Sequence, residues 1–226
     1  MKKTKLNCDI VLRDNFISLM SNDKSVLHVG CTDSPYYEEA YKTNRLLHLK
    51  LLRCAKNLKG TDISLEGVKF LKSVNSNLDI DISDIMDPDC VGKYFGLYDL
   101  VVLSDVLEHL PNPGIALSNI AAIMSADSKL IITVPNSLAL KASLRALVGI
   151  ELVHQDHMCY YSFSTLSKIL NTYSLYPENL FSYVGGGSSI FAKALNPIFH
   201  LVPWLADGIG IVASKNIISN QPIYSR

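Results

Sequence analysis

Two carboxylates and an imidazole fall within five residues at Asp105, Glu108 and His109. Such a cluster can bind a divalent cation or move a proton. Two further imidazoles, His154 and His157, stand three apart between Pro135 and Ser164. With an ordinary pKa of about 6.5, either can act as a general base toward a hydroxyl, or can simply pack in a loop. Lys141 and Arg145, four apart, can face an anionic partner or lie on a solvated helix face. Upstream, Gly30-Cys31-Thr32-Asp33-Ser34 follows an apolar run. A glycine there lets a ligand approach the backbone without a Cβ clash. Asp62 closes a second short run, where a carboxylate can accept both hydroxyls of a ribose. Asp84 and Ile85 follow a third, where a carboxylate can accept an amino hydrogen of adenine while an aliphatic side chain packs on the ring. The series Asp79, Asp81, Asp84, Asp87, Asp89 fails as a calcium loop. Its sixth position is Asp84 instead of glycine and its twelfth is Cys90 instead of glutamate.

These residues need a scaffold that brings strand ends together. Apolar runs at Val26–Val29, Asn57–Ile63, Leu78–Ile82, Tyr98–Leu103, Lys129–Val134, Asn179–Val184 and Gly210–Ser214 read as seven strands. The continuous ones suit strands covered on both faces, as in parallel sheets. Helical spacing appears over Tyr36–Cys54, Ser64–Val74 with Ser64 as cap, Gly114–Met124, and Ser164–Thr172 with Ser164 as cap. Gly67 is a weak point in the second of these, Phe191–Trp204 reads as an apolar helix packed on the sheet, and Gly185–Ser189 reads as a flexible loop. Strands alternating with helices predict a Rossmann-like, doubly wound α/β fold in a single domain. Ligands in such sheets lie at the carboxyl ends of the strands, near the switch point.

Composition bounds the rest. A chain of 226 residues with 48% hydrophobic and 19% charged side chains forms one core and is not disordered. Its formal net charge of zero argues against a dedicated nucleic-acid binder. Residues 61–113 hold 10 acidic and 3 basic side chains, which suits an acidic rim around a cation-bearing ligand. The five cysteines form no CxxC, the amino terminus has no apolar signal segment, and no apolar run is long enough to span a bilayer. A cytoplasmic setting is the expectation.

The stretch Tyr98–Asn136, with Asp99-Leu100-Val101-Val102-Leu103-Ser104-Asp105-Val106-Leu107-Glu108-His109-Leu110 at its centre, resembles the class I S-adenosylmethionine-dependent methyltransferases, particularly their small-molecule branch. Gly60–Ser64, Lys129–Asn136, His157–Leu166 and Ala206–Ala213 are similar to that branch too, so the resemblance covers about residues 24–215. It implies a seven-stranded, mostly parallel sheet with an antiparallel last strand. It implies residues 1–23 as a helical extension, 24–215 as the methyltransferase domain with a substrate lid over 136–162, and 216–226 as a tail.

Carried over residue by residue, the resemblance implies S-adenosylmethionine as cofactor. Gly30 with His28 and Cys31 would approach its methionine part, and Ser104 would meet the amino group through its carbonyl. Asp62, beside Ile63, would take the ribose hydroxyls, and Asp84 with Ile85 the adenine. His109, His154 and His157 are the candidate catalytic residues. The glycine turn departs from the family pattern: His28 replaces an acid, and Thr32 and Ser34 replace glycines. In ubiquinone-biosynthesis O-methyltransferases a Glu-x-x-Glu-His arrangement is linked to a metal. Here its first member is the shorter Asp105, structural hydrogen bonding is favoured, and no metal is assigned. The expected partner is a small-molecule acceptor, with sugars, glycans or lipid precursors as candidates. No nucleic acid or integral membrane contact is expected, and a homodimer is left open. The competing reading is a non-catalytic, degenerate methyltransferase-like partner protein. A nicotinamide-dependent oxidoreductase is disfavoured, because Gly-x-Gly-x-x-Gly is missing.

Overall fold

A computed structural model describes residues 8–185 and 198–215. In chain order the elements are β1 (Asp9–Val11), α1 (Arg13–Ser21), β2 (Ser25–Val29), α2 (Tyr37–Lys42), α3 (Leu47–Leu51), β3 (Asn57–Asp62), α4 (Leu65–Val74) and β4 (Ile80–Ile82). Then follow α5 (Asp89–Tyr94), β5 (Leu100–Ser104), a 3-10 turn (Leu107–His109), α6 (Pro113–Ile123), β6 (Lys129–Pro135), α7 (Leu140–Leu147), α8 (Phe163–Thr172), β7 (Tyr176–Tyr183) and β8 (Gly208–Ser214).

The strands form one sheet in the order β1-β7-β8-β6-β5-β2-β3-β4. All pairs are parallel except those that β8 makes with β6 and β7. The seven expected strands are β2 to β8, and the last is antiparallel as expected. The sheet has an eighth member, however: β1 adds parallel to the edge of β7, Asp9 opposite Phe181. The amino-terminal segment is therefore part strand and not a helical extension alone. Three residues give too short a pattern to read as a strand.

Alternation splits the strands between two faces. Leu27, Val29, Val101, Leu103, Leu130 and Ile132 pack with α6 and α8. Val26, Leu100, Val102 and Ile131 pack beneath Ile17 of α1 and Leu47 and Leu51 of α3. Both faces are covered, which is why these runs are continuously apolar. The chain leaves β2 for β3 and β4 on one side and places β5 and β6 on the other, so the switch point lies between β2 and β5.

Two expected helices differ. Tyr36–Cys54 is not one helix but α2 and α3, separated by a turn at Asn44 with φ +54°. Asparagine tolerates that left-handed conformation better than most residues. The cap of α8 is Ser162, in a reciprocal capping box with Thr165, and not Ser164. Ser64 does cap α4, accepting from Gly67 N at 3.0 Å. Residues 191–197 of the expected apolar helix, 186–189 of the expected loop and the 216–226 tail lie outside the described residues. Residues 198–201 are helical, with Phe199 fully buried.

His28 of β2 faces the core. Its Nδ1 lies 3.2 Å from Nδ1 of the equally buried His48, so one ring donates and the other accepts. Burial pushes both pKa values down, His48 to about 4, and the two rings repel each other's charge at His28. Both imidazoles are neutral in the fold but protonate below about pH 6.5 once the chain unfolds. Their contribution is therefore complete above pH 6.5 and is lost as the pH falls toward 4. Urea unfolding at a series of pH values should show stability declining from pH 6.5 to 5, above the carboxylate range. His48→Gln should flatten that decline; an unchanged slope would remove the pair as its cause.

Candidate functional site

The turn after β2 is fixed by its neighbours. Gly30 has φ +71°, and a Cβ there would lie 2.3 Å from Val106 Cγ2. Only glycine fits both the conformation and the space. Gly30 N donates to Thr61 O at 2.8 Å, and Cys31 N follows at 3.3 Å. Thr32 then reaches Asp62 twice, donating through its N at 2.9 Å and its Oγ1 at 2.8 Å, both to Oδ2. Asp62 Oδ1 accepts from Ser64 N at 2.9 Å. Gly67 explains itself here: a Cβ on it would stand 2.7 Å from Thr32 Oγ1.

The Asp62 carboxylate thus already holds three donors. A carboxylate offers about four lone-pair positions, so one remains. The residues fit a ribose through one hydroxyl at this group, which is less than the two expected from sequence. Ile63 is 69% exposed beside it, an apolar face presented to a ligand. Asp84 Oδ1 accepts from Met86 N at 2.8 Å, and the residue is partly exposed at the end of β4. Ile85 is buried in the core and its carbonyl accepts from Asn119 Nδ2 at 2.9 Å. Of the expected cofactor residues, Gly30, Asp62, Ile63, Asp84 and Ser104 stand along the strand ends, while the His28, Cys31 and Ile85 side chains face inward, Cys31 packing in the cluster with Leu71 and Ile80.

At the end of β5, Ser104 Oγ pairs with Thr133 Oγ1 at 2.9 Å. Asp105, with φ +53°, accepts from the Arg13 guanidinium, from Thr133 Oγ1 at 3.0 Å and from Tyr183 OH at 2.7 Å. Burial, and then the charge of Asp105, push the Tyr183 phenol well up, so it remains a donor. Arg13 also holds Asp14 at 2.9 Å and lies 5.5 Å over the Tyr183 ring. Arg13 and Tyr183 carry no motif, and sequence reading missed them; Val106 belongs to the Asp99–Leu110 stretch, but its place against Gly30 was not foreseen. Only the topology brings positions 13, 105 and 183 together.

Glu108 is buried, and neither carboxylate oxygen has a hydrogen-bond partner among the described residues. Burial, then the nearby Asp105 charge, raise its pKa far above the usual carboxylate range, which keeps it protonated near neutral pH. Its main-chain carbonyl accepts from Met158 N at 2.8 Å and Cys159 N at 3.2 Å. This docks segment 149–162 onto the 3-10 turn. The root of the same segment is Asn136, whose Nδ2 donates to Trp204 O at 2.9 Å and Ala206 O at 2.8 Å.

The docking brings the three candidate catalytic histidines together. Ring centroids are 4.7 Å apart for His109–His157, 5.1 Å for His154–His157 and 5.9 Å for His109–His154. Burial, then the other two rings, lower the pKa of His157. Alongside lies a cavity of about 760 Å³, walled by Asn136, α7, residues 149–153, His154, His157 and Tyr160. Lys141 lines it but is paired with Asp207 at 2.7 Å, while Arg145 is exposed. All five cysteines are free thiols, and no described helix is long and apolar enough to cross a membrane.

Known proteins are similar to this chain in sequence or in fold. The ubiquinone biosynthesis O-methyltransferase of Burkholderia lata is 32% identical over 100 residues, 43% of this chain and 43% of that protein. The chain spans about half the length of the curated relatives it matches. A crystal structure of an S-adenosylmethionine-dependent methyltransferase from Archaeoglobus fulgidus superposes with a TM-score of 0.55 at 17% identity, covering 89% of this chain and 90% of that one. Magnesium protoporphyrin IX methyltransferase from Synechocystis, solved with bound S-adenosylhomocysteine, gives 0.57 at 16% identity over 90% and 82% of the two chains. These structures carry the fold. A family model described as a methyltransferase domain matches residues 5–178. Since that match runs from before β1 into β7, across the parallel part of the sheet, the chain belongs to the methyltransferase-domain family.

Proposed function

We propose that the protein transfers a methyl group from S-adenosylmethionine to a small-molecule acceptor held beneath the lid. One observation supports this reading: the segment Ser104–His109 touches both regions. Its Val106 abuts the Gly30 turn, and three residues on its His109 packs against His157, which lines the cavity. The turn expected to hold the donor and the cavity offered to the acceptor are thus linked by one short segment.

Within the crevice, the Gly30 turn admits the methionine part, the remaining Asp62 position takes a ribose hydroxyl, and Ile63 lies against the adenine with Asp84 at its rim. The Ser104 carbonyl receives the amino group. When bound, the sulfonium supplies an electrophilic methyl group. The chain's own residues align the acceptor and exclude water, which supplies most of the rate. The imidazoles of His109, His154 and His157 orient an acceptor hydroxyl and receive its proton.

The cavity wall contains Ala139, Ala142, Ala146, Ile150, Leu152 and Val153. That lining suits a lipid precursor better than a sugar. The name of the Burkholderia relative supports oxygen as the acceptor atom. Thr32 on Asp62 favours the second reading, a binding protein that has lost catalysis, because it occupies acceptor positions a nucleoside would use.

Thermal unfolding with S-adenosylhomocysteine tests the crevice. A hundredfold excess over the dissociation constant should stabilise the fold by about 2.7 kcal/mol, while a nicotinamide dinucleotide should not. No shift with the former would sink the cofactor assignment. Thr32→Gly should free the one acceptor position on Asp62 that the hydroxyl fills, the main-chain N–H bond being kept, and bind the same ligand more tightly, with a loss of about 1 kcal/mol in intrinsic stability. Weaker binding would show instead that Thr32 holds the turn in its receptive form. Methyl label moving from S-adenosylmethionine to a lipid extract, and not to protein alone, separates enzyme from binding protein.

A further inference from the structure

We propose that His109, His154 and His157 form a binding site for a divalent transition metal ion of the zinc type. Each ring offers a nitrogen, and the three candidate donor atoms all lie within 4.8 Å of one another. Tetrahedral zinc with bonds of about 2.0–2.1 Å sets its nitrogens roughly 3.3 Å apart. A contraction of that size is open to His154, which is exposed on the lid. Imidazole donors suit zinc, copper, nickel or iron and not magnesium or calcium. Three protein ligands leave a fourth position, which here opens on the cavity that His154 and His157 line.

An outer shell is already in place. Asp156 O lies 3.2 Å from His109 Nδ1, which fixes a proton on that nitrogen and leaves Nε2 for a metal. At His154, Nδ1 accepts from Asp156 N at 3.4 Å and Nε2 lies 3.5 Å from Tyr36 OH, so that ring gives up one of these long contacts when it ligates. A turn in which His157 N donates to His154 O at 3.0 Å brings the two lid rings onto one side. The carboxylates that adjoin His109 in sequence are not in the donor set. Asp105 is engaged by Arg13, Thr133 and Tyr183, and Glu108 is buried. The site takes one ligand from the sheet edge and two from the lid, so an ion would clip the lid shut and face the acceptor's oxygen.

This site is read by metal binding and stands apart from methyl transfer. The full chain, stripped with a chelator, is titrated with zinc against a chromophoric competitor. One equivalent should bind, and His154→Ala and His157→Ala should each weaken binding at least 100-fold. Asp156→Ala keeps the main-chain oxygen that faces His109 and should weaken it by less than about 10-fold, and Glu108→Gln should leave it unchanged. Cobalt should give the visible spectrum of a tetrahedral site, lost in His109→Ala. Failure to bind one equivalent, or equal affinity in the lid variants, overturns the proposal. The S-adenosylhomocysteine shift of the same variants is measured beside it: a retained shift shows that they are folded and that the cofactor crevice is independent, so either reading can fail alone.

Discussion

A single buried carboxylate ties the first two crossover turns of the sheet to each other. Asp62 receives the main chain and hydroxyl of Thr32 from one turn and the main chain of Ser64 from the next. Hydrogen bonds to an ionised acceptor are about twice as strong as neutral ones, and a buried charge without them would be costly. The cap of α4, the close approach of Gly67 and the position of Gly30 all follow from this bond set. The departure from a glycine-rich turn is therefore not a simple loss. The threonine hydroxyl adds one bond to Asp62 beside the one from its main chain, so the carboxylate is more nearly saturated.

A second carboxylate does comparable work across the sheet. Asp105 draws in Arg13 from the amino-terminal helix, Thr133 from β6 and Tyr183 from β7. Its left-handed backbone turns the chain sharply out of β5 and sends Val106 over Gly30. Glu108, three residues on, takes the opposite solution and stays protonated in the core. Two acids in one short motif thus end as an ion-pair hub and a neutral core group.

The sheet was legible because its strands are buried on both faces, which leaves a continuous apolar signature at Val101–Leu103 and Leu130–Val134. The switch point followed from that order, and with it the places of Gly30, Asp62 and Ser104. What stayed hidden depends on contacts distant in sequence. Nothing near Arg13 announces Asp105, 92 residues away. Nothing near His28 announces His48, since an imidazole in a strand reads as polar until its partner is known. The three candidate histidines were each visible as residue types, but their meeting depends on segment 149–162, which has no periodic pattern. The break at Asn44 was missed because the apolar spacing on either side suits a helix, and a left-handed asparagine leaves no hydrophobic trace.

Segment 149–162 is fastened in part through main-chain groups. Met158 and Cys159 give their N–H to one carbonyl, and Ser137 N reaches Tyr161 O at 2.8 Å. Such fastenings are indifferent to which side chains the lid carries. Over evolutionary time residues 149–160 can therefore diverge widely while the flap still seats in the same place. A lineage can retool what it recognises without redesigning the hinge that presents it.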